Sequence, residues 1–287
     1  MKIGILGAEG LLGSSLMTQC KKKGFEVSGA SRQQANIADL ESLDNWICKE
    51  LPTHIINCAA YTHVDHAEKD SALAFAVNAQ GPANLGHLAK KMGIRVLHIS
   101  TDYVFDGEKN SPYLESDRCN PQNVYGVTKW QGELKLLDVY PEACVLRTSW
   151  LFGKKGKNFI SSVWQKMQEQ ETLKIISDQK GCPTFADDLA DVLFLMLDQS
   201  GIFHFANADV VSRFQMAEDL YEEMKLRKIS FRCSEILPVS SEEFPMAAKR
   251  PLYSVLDTHK IQGVMGHSSR GWKSILKDYL ECISKEK

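Results

Sequence analysis

A tyrosine and a lysine that lie four residues apart are the first pair in this sequence that could do chemistry. Tyr125 and Lys129 follow a loop that contains Pro121, and the stretch through Glu133 is typical of a helix, on which both side chains share one face. A phenol has a pKa of about 10, and an ammonium beside it favours the phenolate and lowers that pKa. Such a phenol could protonate a carbonyl oxygen while a hydride arrives at the carbon. The rest of the chain must then supply a hydride donor, a second hydrogen bond to the carbonyl and a pocket.

The same spacing recurs at Tyr221 and Lys225, where two neighbouring glutamates favour an ordinary solvated helix. Tyr125 differs because a predicted strand before it ends in Ser100 and Thr101. Either hydroxyl, at the carboxyl end of that strand, is well placed to donate a hydrogen bond to a substrate carbonyl. This asymmetry is why we assign the chemistry to Tyr125 and not to Tyr221.

A glycine triplet near the N-terminus is typical of a dinucleotide site. Residues 2–7 are typical of a buried strand, and Gly7, Gly10 and Gly13 lead from it into an amphipathic helix. The first glycine allows a tight turn, the second lets the backbone approach a pyrophosphate, and the third lets the helix pack closely on the strand. The alternative is a simple strand-to-helix turn. We predict cofactor contacts from Gly7, Glu9, Gly10, Leu11, Leu12 and Gly13.

The second predicted strand, residues 25–30, indicates which dinucleotide is bound. NAD-specific sites usually place an acidic residue at the end of this strand, to bind the ribose 2′-hydroxyl. This chain has Ser31 and Arg32 there, which suit a 2′-phosphate. We therefore predict that NADPH is preferred, and we leave open whether NADH is also accepted; the alternative is a solvated Arg32. Asn36 and Ile37 could border the adenine.

The third predicted strand, His54–Asn57, runs into Cys58, Ala59 and Ala60. These small side chains leave room for a cofactor at the carboxyl edge of the sheet, where open α/β sheets bind ligands. The next segment carries two histidines and two acids, but their spacing matches no known metal site, and hydride transfer needs no metal. We expect them to be solvated: His63, Asp65, His66 and Glu68.

The alternation of strands and helices predicts an α/β fold, namely a Rossmann-type doubly wound parallel sheet with a smaller C-terminal lobe. Further strands are predicted near residues 94–99 and 144–149. We assign residues 1–150 to the dinucleotide-binding domain and 151–287 mainly to a substrate-binding lobe, interleaved with segments that return to the sheet. Trp150, at the boundary, could stack on a sugar or a base, or could be a core residue.

Composition excludes several classes of protein. The 287 residues carry a formal charge of −2, so no basic excess indicates nucleic acid, and no apolar run is long enough for a membrane span. The N-terminus does not resemble a signal peptide. Eight scattered cysteines, without a C-x-x-C motif, favour reduced thiols in the cytoplasm.

These motifs together resemble the extended short-chain dehydrogenase/reductases and, among them, the dTDP-4-dehydrorhamnose reductases. The resemblance covers nearly the whole chain. The motifs that carry it are Gly7 to Gly13; Asn57-Cys58-Ala59-Ala60-Tyr61-Thr62 with Val64-Asp65 and Ala67-Glu68; Ser100 to Gly107; Tyr125-Gly126 with Thr128-Lys129; Arg147-Thr148-Ser149-Trp150; Asp178-Gln179 with Gly181 and Pro183-Thr184; and Arg250-Pro251 with Ser254 and Leu256-Asp257. Leu11, Trp130 and Tyr253 depart from the usual family residues.

The resemblance implies a catalytic set of Thr101, Tyr125 and Lys129. Tyr125 would donate the proton and Thr101 would hydrogen-bond the carbonyl, while Lys129 would lower the pKa of Tyr125 and, with it, contact the cofactor at the nicotinamide ribose. The expected reaction is NADPH-dependent reduction of the C4 ketone of a nucleotide-linked 4-keto-6-deoxy sugar, most simply dTDP-4-dehydro-L-rhamnose. The expected substrate contacts are Thr101, Asp102, Tyr103, Trp150 and Arg250.

Two alternatives stay open at this point. One is a non-catalytic NADP-binding regulatory subunit, like the β-subunits of methionine adenosyltransferase, against which the complete catalytic set argues. The other is a sugar-nucleotide epimerase or dehydratase. Dehydratases carry two acids after the active threonine, whereas this chain has Asp102 followed by Tyr103, which favours a simple reductase. We expect a monomer or a homodimer.

Overall fold

Short strands and helices alternate along the computed structural model, which describes residues 1–284. The strands are β1 (Lys2–Leu6), β2 (Glu26–Ala30), β3 (His54–Asn57), β4 (Arg95–Thr101), β5 (Cys144–Thr148), β6 (Leu151–Phe152), β7 (Thr172–Ile176), β8 (Lys180–Gly181), β9 (Thr184–Phe185), β10 (Gly201–Phe205), β11 (Val211–Ser212) and β12 (Glu235–Val239).

The helices connect these strands. They are α1 (Leu11–Lys22), α2 (Leu40–Glu50), α3 (Val64–Ala67), α4 (Ser71–Phe75), α5 (Gly81–Met92), α6 (Val124–Val139), α7 (Phe159–Glu169), α8 (Ala186–Leu195), α9 (Arg213–Leu226), α10 (His259–Met265) and α11 (Trp272–Ser284). A π-helical turn at Ala76–Gln80 joins α4 to α5, and a 3₁₀ turn at Asp102–Val104 follows β4.

A six-stranded parallel sheet in the order β10-β5-β4-β3-β1-β2 forms the centre of the described residues. The chain runs from β1 outward to β2 and then returns to β3 on the other side of β1. Loops on either side of that reversal leave a crevice at the carboxyl ends of the strands, where open α/β sheets bind ligands. The prediction of a doubly wound parallel sheet is confirmed.

Helices cover both faces of the sheet, which explains why most residues of the inner strands β1, β3, β4 and β5 are buried. On one face, Leu16 of α1 and Leu189 of α8 are fully buried in a cluster with the strands. On the other face, Ile47, Leu85 and Leu136 bring α2, α5 and α6 into a second cluster. The helix α6, which carries Tyr125 and Lys129, is therefore held against the sheet by apolar packing.

The chain after residue 150 forms a separate apolar cluster and also returns to the central sheet. Helices α7, α9 and α11 pack with the parallel pair β7–β12 around their own apolar cluster, which includes Met167, Leu220 and Trp272. In between, β10 pairs with β5 at the edge of the central sheet and α8 packs against α1. The boundary at residue 150 remains a prediction.

Within residues 1–284, no helix is both long and apolar enough to cross a membrane.

Candidate active site

A cavity of about 660 Å³ lies along the carboxyl ends of the central strands. Its wall contains nearly every residue that the sequence predicted for the site: Gly7, Glu9, Gly10, Leu11, Leu12, Gly13, Ser31, Arg32, Asn36, Ile37, Cys58, Ala59, Ala60, Thr101, Asp102, Tyr103, Tyr125, Lys129 and Trp150. The segments after β1, β2, β3, β4 and β5 and the first turns of α6 supply these side chains, so six separate segments converge on one space.

The glycine turn after β1 leaves backbone exposed to this cavity. Gly7 has a φ of +73°, a conformation that favours glycine, and a Cβ there would lie 2.9 Å from the backbone nitrogen of Ala59. A Cβ on Gly13 would lie 2.2 Å from the carbonyl oxygen of Gly7. Both positions therefore require glycine, and the close packing brings the start of α1 to the cavity, as a pyrophosphate site needs.

The residues after β2 border the outer end of the cavity. Ser31 and Arg32 line it, and the Arg32 side chain is exposed. The buried side chain of Ile37 and the partly buried Asn36 form the neighbouring wall. This stretch contributes a cation and a hydroxyl to the cavity rather than a carboxylate, which is the arrangement that suits a 2′-phosphate.

Contacts from three distant segments fix the helix α6, and two of them are at its N-terminus. Asn123 caps the helix by accepting a hydrogen bond from the Gly126 N–H at 2.8 Å, and its amide donates to the carbonyl of Lys249 at 2.7 Å. The Glu68 carboxylate accepts a hydrogen bond from the N–H of Val124. Further along, Gly132 lies so close to the π-helical turn that a Cβ would be 2.0 Å from a backbone oxygen there. The position of Tyr125 is therefore set before any ligand binds.

Thr101 and Tyr125 meet at the inner end of the cavity. The Thr101 hydroxyl is hydrogen-bonded to Asp102 Oδ1 at 3.0 Å and accepts a hydrogen bond from the Tyr103 N–H at 3.2 Å. Burial raises the pKa of the Tyr125 phenol, a hydrogen bond with Thr101 lowers it, and the charges of Asp102 and Tyr103 raise it further. The phenol is thus neutral and protonated, which is the form that can give up a proton.

Lys129 lines the same cavity as Tyr125 and is almost fully buried, and its ammonium donates a hydrogen bond to the carbonyl of Ile99 at 2.6 Å. Burial lowers the pKa of Lys129 to about 8, against opposing effects of Glu133 and Cys58. The groups that shift the pKa of Tyr125 are Thr101, Asp102 and Tyr103, beside burial, and Lys129 is not among them. That Lys129 lowers the pKa of Tyr125 therefore stays a prediction for the complex with cofactor.

Asp102 is buried beside the hydroxyls of Thr101 and Tyr125. Burial raises its pKa to about 6, while Ser254, Thr101 and the charge of Arg213 lower it. No hydrogen bond of ordinary geometry joins Ser254 to Asp102, since Ser254 Oγ and Asp102 Oδ2 are both buried without a partner in the described residues.

Arg250 differs from the other predicted contacts, because it does not line the cavity. Its guanidinium forms a bidentate ion pair with Asp65, at 2.9 and 2.5 Å, and donates to the carbonyl of Ala248. The prediction that Asp65 is merely solvated is wrong, since the hydrogen bond from Arg250 holds the pKa of its carboxyl below the usual value. Arg250 still lies close enough to Tyr103 to interact with its phenol.

Arg213 was missed by the sequence analysis. It is the first residue of α9, and it reaches the cavity because that helix starts at the cavity wall. Its guanidinium carbon lies 3.7 Å from the centroid of the Trp150 ring and 4.7 Å from that of Phe159. Trp150 is therefore neither a plain core residue nor free for a ligand on that face. A lone arginine that follows Ser212 carries no motif that could have revealed this.

A second set of missed residues lies behind the catalytic ones. Arg147 of β5 contacts Glu133 of α6 through three hydrogen bonds of 2.7 to 3.2 Å, and the Ser100 hydroxyl donates to Glu133 as well. Ser100 therefore supports the helix, and Thr101 is the hydroxyl that faces Tyr125. The four-residue spacing of Lys129 and Glu133 was the available signal for this contact.

The described residues contain no group of three His, Cys, Asp or Glu side chains that could hold a metal ion. The eight cysteines are unpaired. A doubly wound sheet, a glycine turn and a buried Thr/Tyr/Lys set at the same cavity define a dinucleotide-dependent oxidoreductase of the short-chain dehydrogenase/reductase type.

Comparison with known proteins gives the family. The family model described as "RmlD substrate binding domain" matches residues 1–284, and the chain belongs to this family. A dTDP-4-dehydrorhamnose reductase from Aggregatibacter actinomycetemcomitans is 35% identical over 283 residues, covering 96% of each chain. A crystal structure of an ortholog of this enzyme from Clostridium acetobutylicum superposes with a TM-score of 0.92 at 36% identity, covering 99% of this chain and 100% of that one. The Bacillus anthracis enzyme, solved in complex with NADP, gives 0.91 at 30% identity, covering 97% and 98%.

The burial of Lys129 predicts a gain in stability when its charge is removed. At pH 7 the native state keeps an ammonium whose pKa has fallen from 10.5 to about 8, a penalty of roughly 3 kcal/mol. Lys129→Met removes the penalty but leaves the carbonyl of Ile99 without its donor, so we expect a net gain of about 1–3 kcal/mol in urea denaturation.

The lowered pKa of Lys129 also predicts how the stability of the wild type changes with pH. Between pH 8 and 10.5 the unfolded chain binds more protons at Lys129 than the native state, so the wild type gains stability as the pH rises through this window. The difference in free energy of unfolding between the Lys129→Met variant and the wild type should therefore become smaller as the pH rises from 8 to 10.5. Lys135→Met, at an exposed lysine of the same helix, should change stability by less than about 0.5 kcal/mol. A Lys129→Met protein that is less stable than the wild type at pH 7 would contradict the assignment.

Proposed function

We propose that this protein reduces the C4 ketone of dTDP-4-dehydro-L-rhamnose to give dTDP-L-rhamnose, with NADPH as the reductant, for the synthesis of a cell-surface polysaccharide. The observation that carries the proposal is that Thr101, Tyr125 and Lys129 line the same cavity as the glycine turn. Relatives named dTDP-4-dehydrorhamnose reductase, which match nearly the whole chain, support the substrate.

The roles follow from the positions of the side chains. The bound nicotinamide supplies the hydride. Tyr125 can donate a hydrogen bond to a ketone oxygen placed at the inner end. Thr101 can donate a second one once its O–H turns from Asp102 Oδ1 to the ketone. Tyr125, whose pKa is raised, keeps its proton until charge develops on the ketone oxygen and then donates it. Lys129 lies behind Tyr125 and binds the nicotinamide ribose.

The acid beside these groups supports a reductase rather than a dehydratase. Asp102 is the acidic side chain at the inner end of the cavity, and it is followed by Tyr103, whose ring packs edge-on against that of Tyr125 at 5.7 Å. An aromatic ring fills the place where a second proton-transfer group would be needed for elimination at C5 and C6. The cavity is therefore equipped to deliver one proton at one oxygen.

The diphosphate of the substrate is proposed to bind Arg213. Although Arg213 is largely desolvated and lines the cavity, it forms no ion pair or hydrogen bond within residues 1–284. Burial lowers its pKa to about 10, which leaves it charged at neutral pH. Trp150 and Phe159 hold the guanidinium plane between them, and its N–H donors are left for an anion.

Location and assembly belong to the same proposal. Eight unpaired cysteines suit a reducing compartment, so we place the enzyme in the cytoplasm, as a monomer or homodimer.

The deciding experiment is an NADPH-oxidation assay with enzymatically made dTDP-4-dehydro-L-rhamnose. Stoichiometric loss of NADPH with formation of dTDP-L-rhamnose supports the proposal. Substrate conversion without net loss of NADPH would indicate an epimerase or dehydratase. No turnover, together with a stable complex with another enzyme, would indicate a regulatory subunit.

We predict that Tyr125→Phe lowers kcat by about 10²- to 10⁴-fold, because it removes the proton donor without changing the shape of the cavity. NADPH affinity, measured by fluorescence titration, should change by less than about twofold. Tyr221→Phe is the matched control, since Tyr221 has the same spacing to a lysine but packs against Phe231 away from the cavity. A Tyr125→Phe enzyme with a near-normal rate would refute the assignment.

Arg32→Ala should weaken NADPH binding by about 10- to 100-fold and leave NADH binding nearly unchanged, because only NADPH carries the 2′-phosphate. Dissociation constants for both cofactors, measured in parallel, check this. Arg118→Ala, at another exposed arginine, serves as the control. Equal losses for the two cofactors would mean that Arg32 does not touch the 2′-phosphate.

For the substrate side, Arg213→Gln should weaken binding of dTDP by about 10- to 100-fold, because a charged hydrogen bond to the diphosphate is lost. Affinity for thymidine, which lacks the diphosphate, and for NADPH should stay the same in calorimetric titrations. Arg227→Gln, just after the same helix but paired with Glu223, should leave all three unchanged. Equal weakening of thymidine and dTDP would exclude this role.

A further inference from the structure

The ammonium of Lys129 lies against the buried imidazole of His98. His98, on β4, is fully buried. Its Nε2 atom lies 3.4 Å from Lys129 Nζ, and its Nδ1 atom lies 2.9 Å from Asn57 Nδ2. These two contacts fix the ring, because turning it by half a revolution would place carbon atoms at both positions. The three side chains form a continuous polar line from the end of β3 to the catalytic helix.

The backbone decides which way the Asn57 amide points. The N–H of Ala59 donates a hydrogen bond to Asn57 Oδ1 at 3.0 Å, and a backbone N–H can only donate. The oxygen of Asn57 is therefore held there, and its NH₂ group faces His98. Because that NH₂ group is a donor, His98 Nδ1 must accept, and the neutral imidazole carries its proton on Nε2.

The N–H of His98 consequently faces Lys129 Nζ. An ammonium has three N–H donors and no acceptor, so the two groups meet donor to donor, whereas a neutral amine offers a lone pair to the imidazole. We propose that Asn57 and His98 are positioning residues, which fix the imidazole tautomer that can donate to Lys129 but cannot accept from it, and thereby favour the neutral amine of Lys129.

Other groups around Lys129 act in known directions. Glu133, on the same helix, favours the ammonium, but its carboxylate is bound by Arg147 and Ser100. Cys58 approaches from the loop after β3, and burial raises the pKa of its thiol to about 12, so it is neutral. The carbonyl of Ile99 accepts one N–H. Burial and the charge of Lys129 hold the pKa of His98 well below its usual value, so the imidazole is neutral as well.

This arrangement has a consequence for the reaction. With a pKa of about 8, Lys129 is present as ammonium and amine in comparable amounts just above neutral pH. Binding of the ribose and the charge behind Tyr125 both depend on that ratio. The tautomer of His98 thus acts together with burial to set the pH at which Lys129 changes from ammonium to amine.

The test uses the full chain without ligands, so it does not depend on the substrate. In protein labelled with ¹⁵N-histidine and ¹³C-lysine, NMR reports the tautomer of His98 and the titration of Lys129, with Lys129→Met assigning the lysine signal. We expect the Nε2–H tautomer in the wild type. In Asn57→Asp the carboxylate can accept from His98 Nδ1–H and still accept from Ala59, so the tautomer should reverse and the pKa of Lys129 should rise by at least one unit, a tenfold shift.

Two further variants separate this mechanism from an effect of charge or of folding. Asn57→Leu adds no charge, frees Nδ1 and should also raise the pKa of Lys129. Asn78→Asp places a carboxylate at another buried asparagine, which contacts Tyr61 and Thr128 and does not touch His98, so the tautomer should stay Nε2–H. The alkaline limb of the pH–rate profile should follow the pKa of Lys129 in each variant.

Several results would overturn the proposal. An Nδ1–H tautomer in the wild type would do so without any variant. So would a rise in the pKa of Lys129 that is the same in Asn78→Asp as in Asn57→Asp, because a carboxylate alone would then explain it.

Discussion

The buried ion pair between Glu133 and Arg147 is the interaction on which the geometry of the site depends. Their side chains are 1% and 3% exposed, and the pair joins α6 to β5. Removing one partner of such a pair leaves an unpaired charge in the interior, which typically costs several kcal/mol. Two further contacts support this ion pair. Ser100 donates a hydrogen bond to Glu133, and the Arg147 guanidinium packs 5.2 Å from the ring centroid of Phe105.

The same pair determines which way α6 is turned. Glu133 lies one helical turn after Lys129, which itself lies one turn after Tyr125, so the three residues form one row along the helix. Holding the last of them against β4 and β5 directs the first towards Thr101. The close approach of Gly132 to the π-helical turn prevents the helix from moving away sideways. The candidate catalytic side chains are therefore oriented by Glu133, Arg147 and Gly132, which do not line the cavity.

Burial also explains the ionisation of the site. It raises the pKa of Tyr125 and Asp102 and lowers that of Lys129, so each group is pushed towards its neutral form. A cavity with few fixed charges has little to screen the charge that develops on a reacting oxygen, and electrostatic interactions in such a place are strong. The desolvation that costs stability at Lys129 also keeps the phenol of Tyr125 protonated, so that its proton is present when the substrate binds.

The parts of the site that the sequence could predict are those carried by local patterns. The glycine turn, the hydroxyl at the end of β4 and the Tyr125/Lys129 spacing each lie within a few residues of a predicted element, and the parallel sheet then brings the carboxyl ends together. Arg213 could not be predicted in the same way, because its place depends on how α9 packs in the lobe. His98 looked like an ordinary strand residue, since its contact with Asn57 exists only through the register of β3 and β4.

The two arginines near Tyr103, Arg213 and Arg250, differ in their ion-pair partners and therefore in what they can bind. Both are desolvated, and the charge of Arg250 lowers the pKa of Arg213, so they lie close enough to repel each other. Arg250 is neutralised by Asp65, which ties the segment before Pro251 to α3. Arg213 is balanced only in part, by the charge of Asp102 at longer range. A dianionic group entering the cavity would relieve that imbalance, whereas a neutral sugar would not, so on the proposed function the phosphorylated part of the substrate contributes binding energy at a point away from the ketone.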